Sequence, residues 1–133
     1  MIRCVRIWTG PDDNSLFEEG TIAMPGTKRG DAVSLLERAA TISFHETAPG
    51  GEFTPHQAPA RQFVLTFSGT LEFRTASGAT FQIRPGDVLL AEDTIGTGHS
   101  WKLVDDQPWR RAYVVIDVDA NSTHLFTPRG ETA

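Results

Sequence analysis

Two stretches of the sequence contain side chains that could carry chemistry. The first, GEFTPHQAPARQFVLTFSG at 51–69, contains His56 and, six residues later, Gln62. The second, GTGH at 96–99, ends in His99. An imidazole can bind a metal or transfer a proton near neutral pH, and an amide carbonyl is a neutral oxygen ligand. These residues matter as a site only if the fold brings the two stretches together.

Other kinds of active site find no support in the sequence. There is no Gly-x-Ser-x-Gly turn, and Cys4 is the only cysteine, so nucleophilic catalysis has no recognisable motif. Gly96 and Gly98 are followed by neither a helix pattern nor the lysine of a phosphate-binding loop. We therefore expect these two glycines to supply the positive φ of the turn that presents His99.

Size and charge indicate one globular domain, 1–133. Hydrophobic residues make up 39% and charged residues 22% of the chain, which is ordinary for a protein with a packed core. The net charge of −5, without any long Lys/Arg cluster, makes nucleic acid an unlikely partner. The N-terminus lacks a signal-peptide core and no apolar run is long enough to span a membrane, which predicts a cytoplasmic protein. The sequon at Asn121 is then incidental.

The spacing of Gly and Pro predicts many short strands, and therefore an all-β sandwich or barrel such as a jelly roll. No βαβ alternation is present, so a parallel sheet is not expected. The segment 31–38, DAVSLLER, is either a short helix capped by Asp31 or an extended arm. Strands are predicted at 2–8, 21–24, 41–47, 62–67, 70–74, 80–84, 88–91, 100–104 and 111–117.

The first stretch resembles one of the two sequence motifs of the cupin superfamily, which contains a glycine, a His-x-His pair, a glutamate and a closing glycine. His56 falls on the first histidine, and the spacing from Gln62 to Gly69 fits the pattern. Ala58 stands at the second histidine and Gln62 at the glutamate. The motif therefore keeps its spacing but has lost two of its usual ligands.

The second stretch resembles the other cupin motif. Pro85-Gly86-Asp87-Val88 is a turn into a strand, and the loop 96–99 then presents one more histidine. Together the stretches are similar to small, single-domain bacterial cupin proteins. The resemblance covers 41–117, which would be the barrel core, with an N-terminal arm at 1–38 and a polar tail at 120–133. It implies a cupin-type jelly roll, also called a double-stranded β-helix barrel.

The resemblance also implies a ligand set of His56, Gln62 and His99, which would hold one divalent transition metal (Fe, Mn, Ni or Zn). Three neutral ligands bind a metal more weakly than a set with a carboxylate, so His45, and less readily Glu46, is a candidate for a fourth. The alternative is a cavity without metal, in which the histidines and Gln62 only satisfy hydrogen bonds.

Two classes of function follow. The first is an enzyme of oxygenase or isomerase type acting on a small polar or aromatic metabolite, with Glu92 or His45 moving the proton. The second is a metal-free ligand-binding, structural or regulatory cupin module without catalysis.

Strand periodicity places Gln62, Val64 and Thr66 on the face that the cupin resemblance turns into the barrel. Trp101 shares a face with His99, and these side chains would line a substrate pocket. Arg61 either binds a substrate carboxylate in that pocket or, as its opposite parity favours, forms a salt bridge outside it.

Two expectations concern the surroundings of the pocket. Asp93 either shapes the turn before the glycines or orients His99. The opposite face of 62–67, with Phe63, Leu65 and Phe67, needs cover from the N-terminal strand of the same chain or of a partner. The cupin resemblance implies exchange of such strands between two barrels, and we therefore expect a homodimer.

Overall fold

The computed structural model describes residues 1–120 and 122–130, and its regular structure there is almost entirely β. A 3-10 turn at Ser122–Leu125 precedes the last strand, and the sequon residue Asn121 lies outside the described residues. No helix in the described part of the chain is long and apolar enough to cross a membrane. The strands are β1 (Arg3–Thr9), β2 (Ser15–Ile22), β3 (Gly26–Lys28), β4 (Asp31–Val33), β5 (Ala39–Thr47), β6 (Glu52–His56), β7 (Gln62–Ser68), β8 (Leu71–Thr75), β9 (Thr80–Ile83), β10 (Val88–Glu92), β11 (His99–Leu103), β12 (Trp109–Ile116) and β13 (Phe126–Pro128).

The strands from β5 to β12 form the two facing sheets of a jelly roll. One sheet contains the order β5-β12-β7-β10 and the other the order β6-β11-β8-β9. Strands that are neighbours in a sheet are mostly distant in the chain, because the chain passes repeatedly from one sheet to the other. This order is the double Greek key that defines a jelly roll. The all-β, cupin-type fold predicted from the sequence is confirmed.

The N-terminal strand extends the larger sheet at the edge of β10. β1 pairs with β10 in parallel, from Cys4 opposite Val88 to Trp8 opposite Glu92. β2 and β13 then continue the sheet beyond β1. Among the described strand pairs this is the only parallel one, and no parallel sheet forms, as the sequence predicted. Most of the barrel separates the two strands in sequence and acts as the long crossover that a parallel pair requires. On the outer face of the sheet, Cys4 of β1 belongs to a second buried cluster against which Phe63 and Leu65 pack, whereas Phe67 remains 54% exposed.

Alternation along β7 directs one set of side chains into the barrel. Gln62 is 6% exposed, and Val64 and Thr66 are both 3% exposed, whereas Phe67 on the opposite face is 54% exposed. The predicted parity of this strand is therefore correct. The inward residues join a core built from both sheets, and burying each large apolar side chain there contributes roughly 1.5–3 kcal/mol. The fully buried members with the largest apolar side chains include Trp109, Phe73, Ile7, Leu71, Ile83 and Val5.

The segment 31–38 is extended, so the arm is the correct one of the two alternatives. Asp31–Val33 forms β4, which pairs with β3 in a two-stranded hairpin. Arg29 and Gly30 both have positive φ (53° and 85°), as a tight two-residue hairpin turn requires. Leu36 is 96% exposed, so no apolar helix face finds a surface to pack against. A helix this short gains most of its stability from such packing.

Candidate functional site

A cavity of about 480 Å³ opens between the two sheets of the jelly roll. A volume of this size suits a small organic molecule. Residues from both cupin-like stretches reach it, together with residues of β5 and β12. Its polar lining consists of Ser43, His45, His56, Gln62, His99 and Arg111, and its apolar and aromatic lining of Phe53, Ala58, Pro59, Val64, Phe73, Leu89, Ala91, Trp101, Trp109, Tyr113 and Val115.

His99 begins β11 and is oriented by a buried carboxylate. Its Nδ1 lies 2.6 Å from Oδ2 of Asp93, and the same oxygen accepts a hydrogen bond from Ser15 Oγ at 2.8 Å. Asp93 is fully buried, and its Oδ1 has no hydrogen-bond partner. Because the carboxylate accepts at Nδ1, the imidazole carries its proton there and has its Nε2 lone pair available. Asp93 therefore orients His99, which is one of its two expected roles.

His56 ends β6 and is fixed in the same way by a backbone group. Its Nδ1 donates to the carbonyl oxygen of Thr54 at 2.9 Å, which leaves Nε2 unprotonated in the neutral ring. Burial lowers the pKa of His56, the Thr54 carbonyl opposing this shift only in part, so the neutral form is favoured. The His56 and His99 rings lie 4.7 Å apart between centroids. The fold thus pairs two imidazoles from distant parts of the chain.

The glycine loop allows the two histidines to come this close. Gly98 has φ of +68°, and a Cβ at this position would lie 2.0 Å from the carbonyl oxygen of His56. Only glycine leaves room for the backbone before His99 to pass the backbone of His56. Gly96 also has positive φ, so the predicted conformation of both glycines is confirmed. A further backbone bond, from Ala58 N to Asp93 O at 3.0 Å, joins the two stretches.

Gln62 is the third polar group of the two cupin-like stretches in the cavity. The side chain is buried and lines the cavity, and it makes no hydrogen bond to any residue that the structure describes. Its amide is not among the fully buried unpartnered polar groups of the described residues, so it is open to water or a ligand in the cavity. Ala58, at the position of a second histidine in the motif, contributes only a methyl group to the wall. The cavity therefore contains two imidazoles and one amide with unused capacity for a ligand.

This donor set fits a metal in part. Each imidazole offers Nε2 while its Nδ1 is bound to an oxygen, the usual arrangement of metal-binding histidines. The Gln62 carbonyl is an acceptable neutral third ligand. Within 1–120 and 122–130, no cluster of three His, Cys, Asp or Glu side chains is placed to hold a metal ion. The set is consistent with a site of modest affinity in which other positions are left to water or substrate.

His45 lines the cavity, but at a different place from the histidine pair. Its ring packs edge-on against Tyr113 at 4.6 Å, and its Nε2 lies 3.3 Å from Ser43 Oγ. In the sheet it is opposite Arg111. Across the described residues no ring contact joins it to His56 or His99, so the structure does not place it as their fourth partner. The neighbouring Glu46 forms an exposed ion pair with Arg110 at 2.6 Å and does not line the cavity.

Three other residues predicted for the site do not line the cavity. Glu92 follows Ala91 on β10 and therefore points to the outer face, where it forms an ion pair with Arg6 at 2.6 Å. Arg61 also lies outside, and its guanidinium donates to the backbone carbonyls of residues 117 and 120. Thr66 points inward below the cavity and accepts a hydrogen bond from the Trp109 indole at 3.2 Å. Trp101 and Val64 line the cavity as predicted.

The sequence reasoning missed Arg111, which is the only Lys or Arg in the described lining of the cavity. It is 6% exposed, and its Cζ lies 3.8 Å from the centroid of the Trp109 ring. The alternation of β12 was the available signal, because Arg111, Tyr113 and Val115 share one face. A prediction of that face required the register of β12 against β7, which the sequence alone does not give.

The strand order defines this domain as an all-β jelly-roll barrel. No family model matches the sequence, and no curated protein matches it either. Among solved structures, it is similar to a DUF861 family protein from Thermotoga maritima, with 20% identity over 56% of this chain and 77% of the other and a TM-score of 0.47.

Two further solved structures show a similar degree of likeness. A Cupin 2 conserved barrel domain protein from Salinispora arenicola has 20% identity over 58% of this chain and 62% of the other, with a TM-score of 0.46. An uncharacterized conserved protein with a double-stranded beta-helix domain from Klebsiella pneumoniae has 21% identity over 73% and 81%, with a TM-score of 0.48. The fold assignment made here rests on the strand order of the chain itself.

Proposed function

We propose that this protein binds a small molecule in the barrel cavity, at a polar centre formed by His56, His99 and Gln62. The observation that carries the proposal is the pair of imidazoles 4.7 Å apart, each fixed through Nδ1 so that Nε2 is available. The buried carboxylate of Asp93 orients one of them. An arrangement of this kind is suited to ligand binding, whereas histidines that serve only packing have no need of it.

The same centre would hold a divalent transition metal, with His56, His99 and Gln62 as its protein ligands. When bound, the metal would supply Lewis-acid activation of a substrate oxygen. Asp93 would keep the ring of His99 in one tautomer and orientation, and the apolar wall would exclude bulk water. The pKa of His56 is lowered by burial, which favours the neutral ring that a metal requires.

A metal-free binding module is the second candidate, and the two substitutions in the first motif favour it. Ala58 provides no ligand and Gln62 provides no charge, so a metal here would lack a negative protein ligand. In that case the Nε2 atoms and the Gln62 amide would hydrogen-bond a polar group of the ligand directly. The Asp93–His99 pair could still accept a proton, as in other carboxylate-oriented histidines.

Metal analysis separates these candidates. Protein purified without added metal would be analysed for Fe, Mn, Ni and Zn, and then titrated with Ni²⁺ and Zn²⁺ by calorimetry. If the centre holds a metal, His56→Ala and His99→Ala each lower the affinity at least tenfold, whereas His45→Ala, in the same cavity, leaves it nearly unchanged. Absence of metal together with no binding heat in the wild type would exclude the metal centre and leave the metal-free module.

We also propose that two copies of this chain associate through the outer face of β5, β12 and β7. Ile42 is 61% exposed and Phe44 is 72% exposed on this face, and Phe67 continues it. Contiguous exposed apolar side chains of this kind mark an interaction surface. Sedimentation should show a dimer at micromolar concentration, and Phe44→Glu should dissociate it, whereas Leu36→Glu on the arm serves as an exposed control. A wild type that sediments only as a monomer would contradict the proposal.

A further inference from the structure

Arg111 is a buried cation without a carboxylate partner. Only 6% of the residue is exposed, and none of the ion pairs in the described chain includes it. A charge removed from water is costly unless an opposite charge or several hydrogen bonds compensate it. The buried carboxylate of Asp93 bonds to His99 and Ser15 and forms no ion pair with Arg111.

The hydrogen bonds of Arg111 occupy only part of the guanidinium. Nε donates to the hydroxyl of Tyr113 at 3.2 Å, and Nη1 donates to Oγ1 of Thr47 at 2.8 Å and to the carbonyl of Trp109 at 3.1 Å. These bonds fix the plane of the group. Nη2, with its two N–H donors, has no partner among the described residues, although the side chain lines the cavity.

Aromatic rings surround this guanidinium and determine what else can lie beside it. Its Cζ is 3.8 Å from the centroid of Trp109, 5.8 Å from that of Trp101 and 5.5 Å from that of Tyr113. The rings stabilise the charge in part. They also offer an apolar surface to the body of a ligand whose charged end meets Arg111.

We propose that Arg111 is an anion-binding site for the carboxylate of a small organic acid with a flat or apolar body. The proposal rests on the proposed function, in which the cavity binds a small molecule. Along β12, Arg111 lies four residues from Val115, which is opposite Gln62 in the sheet. At about 3.3 Å per residue this is roughly 13 Å, so one acid of that order of length can reach from Arg111 to the polar centre.

A carboxylate fits this site better than a phosphate. Arg111 is the only Lys or Arg in the described cavity lining, and it offers one positive charge with one free nitrogen. A carboxylate carries one negative charge and pairs well with a guanidinium. A phosphate would bring a charge of nearly two to a cavity whose described lining contains no second Lys or Arg.

The experiment compares a carboxylic acid with its uncharged amide. 3-Phenylpropanoate and 3-phenylpropanamide have the same apolar body, and their binding can be followed by the fluorescence of Trp101 and Trp109 in the cavity wall. We expect the acid to bind the wild type at least tenfold more tightly than the amide. Arg111→Gln should abolish this preference, and Arg111→Lys should keep part of it. Arg61→Gln, which changes an arginine outside the cavity, should leave it unchanged.

The outcomes separate the inference from the proposed function. Equal binding of acid and amide by the wild type would overturn the anion site and leave a cavity that binds neutral molecules. An Arg111→Gln variant that folds and retains the preference would also overturn it. If inorganic phosphate displaces 3-phenylpropanoate with an affinity equal to that of the acid itself, the carboxylate assignment is contradicted. If neither compound binds saturably, the proposed small-molecule function fails as well. The wild-type comparison needs no variant, so a misfolded variant does not weaken it.

Discussion

The buried carboxylate of Asp93 allows a sharp test of how His99 is oriented. Its Oδ2 accepts hydrogen bonds from His99 Nδ1 at 2.6 Å and from Ser15 Oγ at 2.8 Å. In Asp93→Asn the shape is kept and the charge is lost. A hydrogen bond to a charged group contributes about 1.5–3 kcal/mol and one between neutral groups about 1 kcal/mol, so the two bonds together should lose about 2 kcal/mol. For a chain of this size we expect the Tm to fall by roughly 6–10 °C.

The effect on ligand binding distinguishes orientation from general stability. If Asp93 orients His99, the affinity for Ni²⁺ or Zn²⁺ should fall by about 10–100-fold in Asp93→Asn, as for other residues that support a histidine ligand. Ser15→Ala removes a bond to the same oxygen without touching the imidazole. It should lower the Tm by about half as much, and it should leave the affinity within about twofold.

Thermal unfolding followed by circular dichroism and calorimetric titration provide the two measurements. Both variants should be titrated well below their Tm, so that loss of fold does not mimic loss of binding. Equal affinity losses in Asp93→Asn and Ser15→Ala would refute the reasoning, because the carboxylate would then act on stability alone. If the wild type binds neither metal, the same comparison applies to 3-phenylpropanoate.

Three further predictions follow from the geometry. Gly98→Ala should destabilise the fold by more than about 2 kcal/mol in denaturant unfolding, because the new methyl group meets the carbonyl of His56. Gly78 also has positive φ but has open space around it, so Gly78→Ala should cost only about 1–2 kcal/mol. Equal costs of the two substitutions would contradict the close approach of Gly98 to His56. Burial raises the pKa of the Cys4 thiol from 9.0 to about 12. As the pH rises, the thiol of the unfolded chain therefore loses its proton before that of the folded chain. The free energy of unfolding should fall above pH 9 by about 1.4 kcal/mol per pH unit. Cys4→Ala should lack this dependence, and the wild-type thiol should react with iodoacetamide only on unfolding; rapid labelling of the native protein would disprove the burial. Arg61→Ala should lower the free energy of unfolding by about 1–2 kcal/mol, since the Arg61 guanidinium binds backbone carbonyls outside the cavity. It should leave ligand affinity unchanged. A tenfold loss of affinity would show that Arg61 acts in the site.

The strands could be predicted where local alternation and turn residues agree. Gln62 was placed inward by its period-two relation to Val64, and the structure buries both. The glycines before His99 were recognised because a turn that presents a side chain often needs positive φ. The segment 31–38 was ambiguous for a physical reason: its leucines suit a helix face, but whether any surface covers them is decided by the rest of the fold.

The remaining features depend on contacts between distant parts of the chain. The parallel pairing of β1 with β10 joins residues more than 80 positions apart, as Cys4 with Val88, and leaves no local pattern. Glu92 stands beside the glycine loop in sequence, but strand parity turns it away from the cavity. Arg111 begins the predicted strand 111–117, but the sequence does not tell which face of that strand points inward, and only the pairing of β12 with β7 shows it.

The pairing of β1 with β10 has a consequence for the way the protein is made. Residues 3–9 are synthesised more than 80 residues before their parallel partner at 88–92. Until then β1 can pair only with β2 in an antiparallel hairpin whose other edge is open. Such an edge can pair with a neighbouring nascent chain. We therefore expect the last step of folding to be the docking of a preformed hairpin onto the finished barrel, with a rate set by this long loop closure.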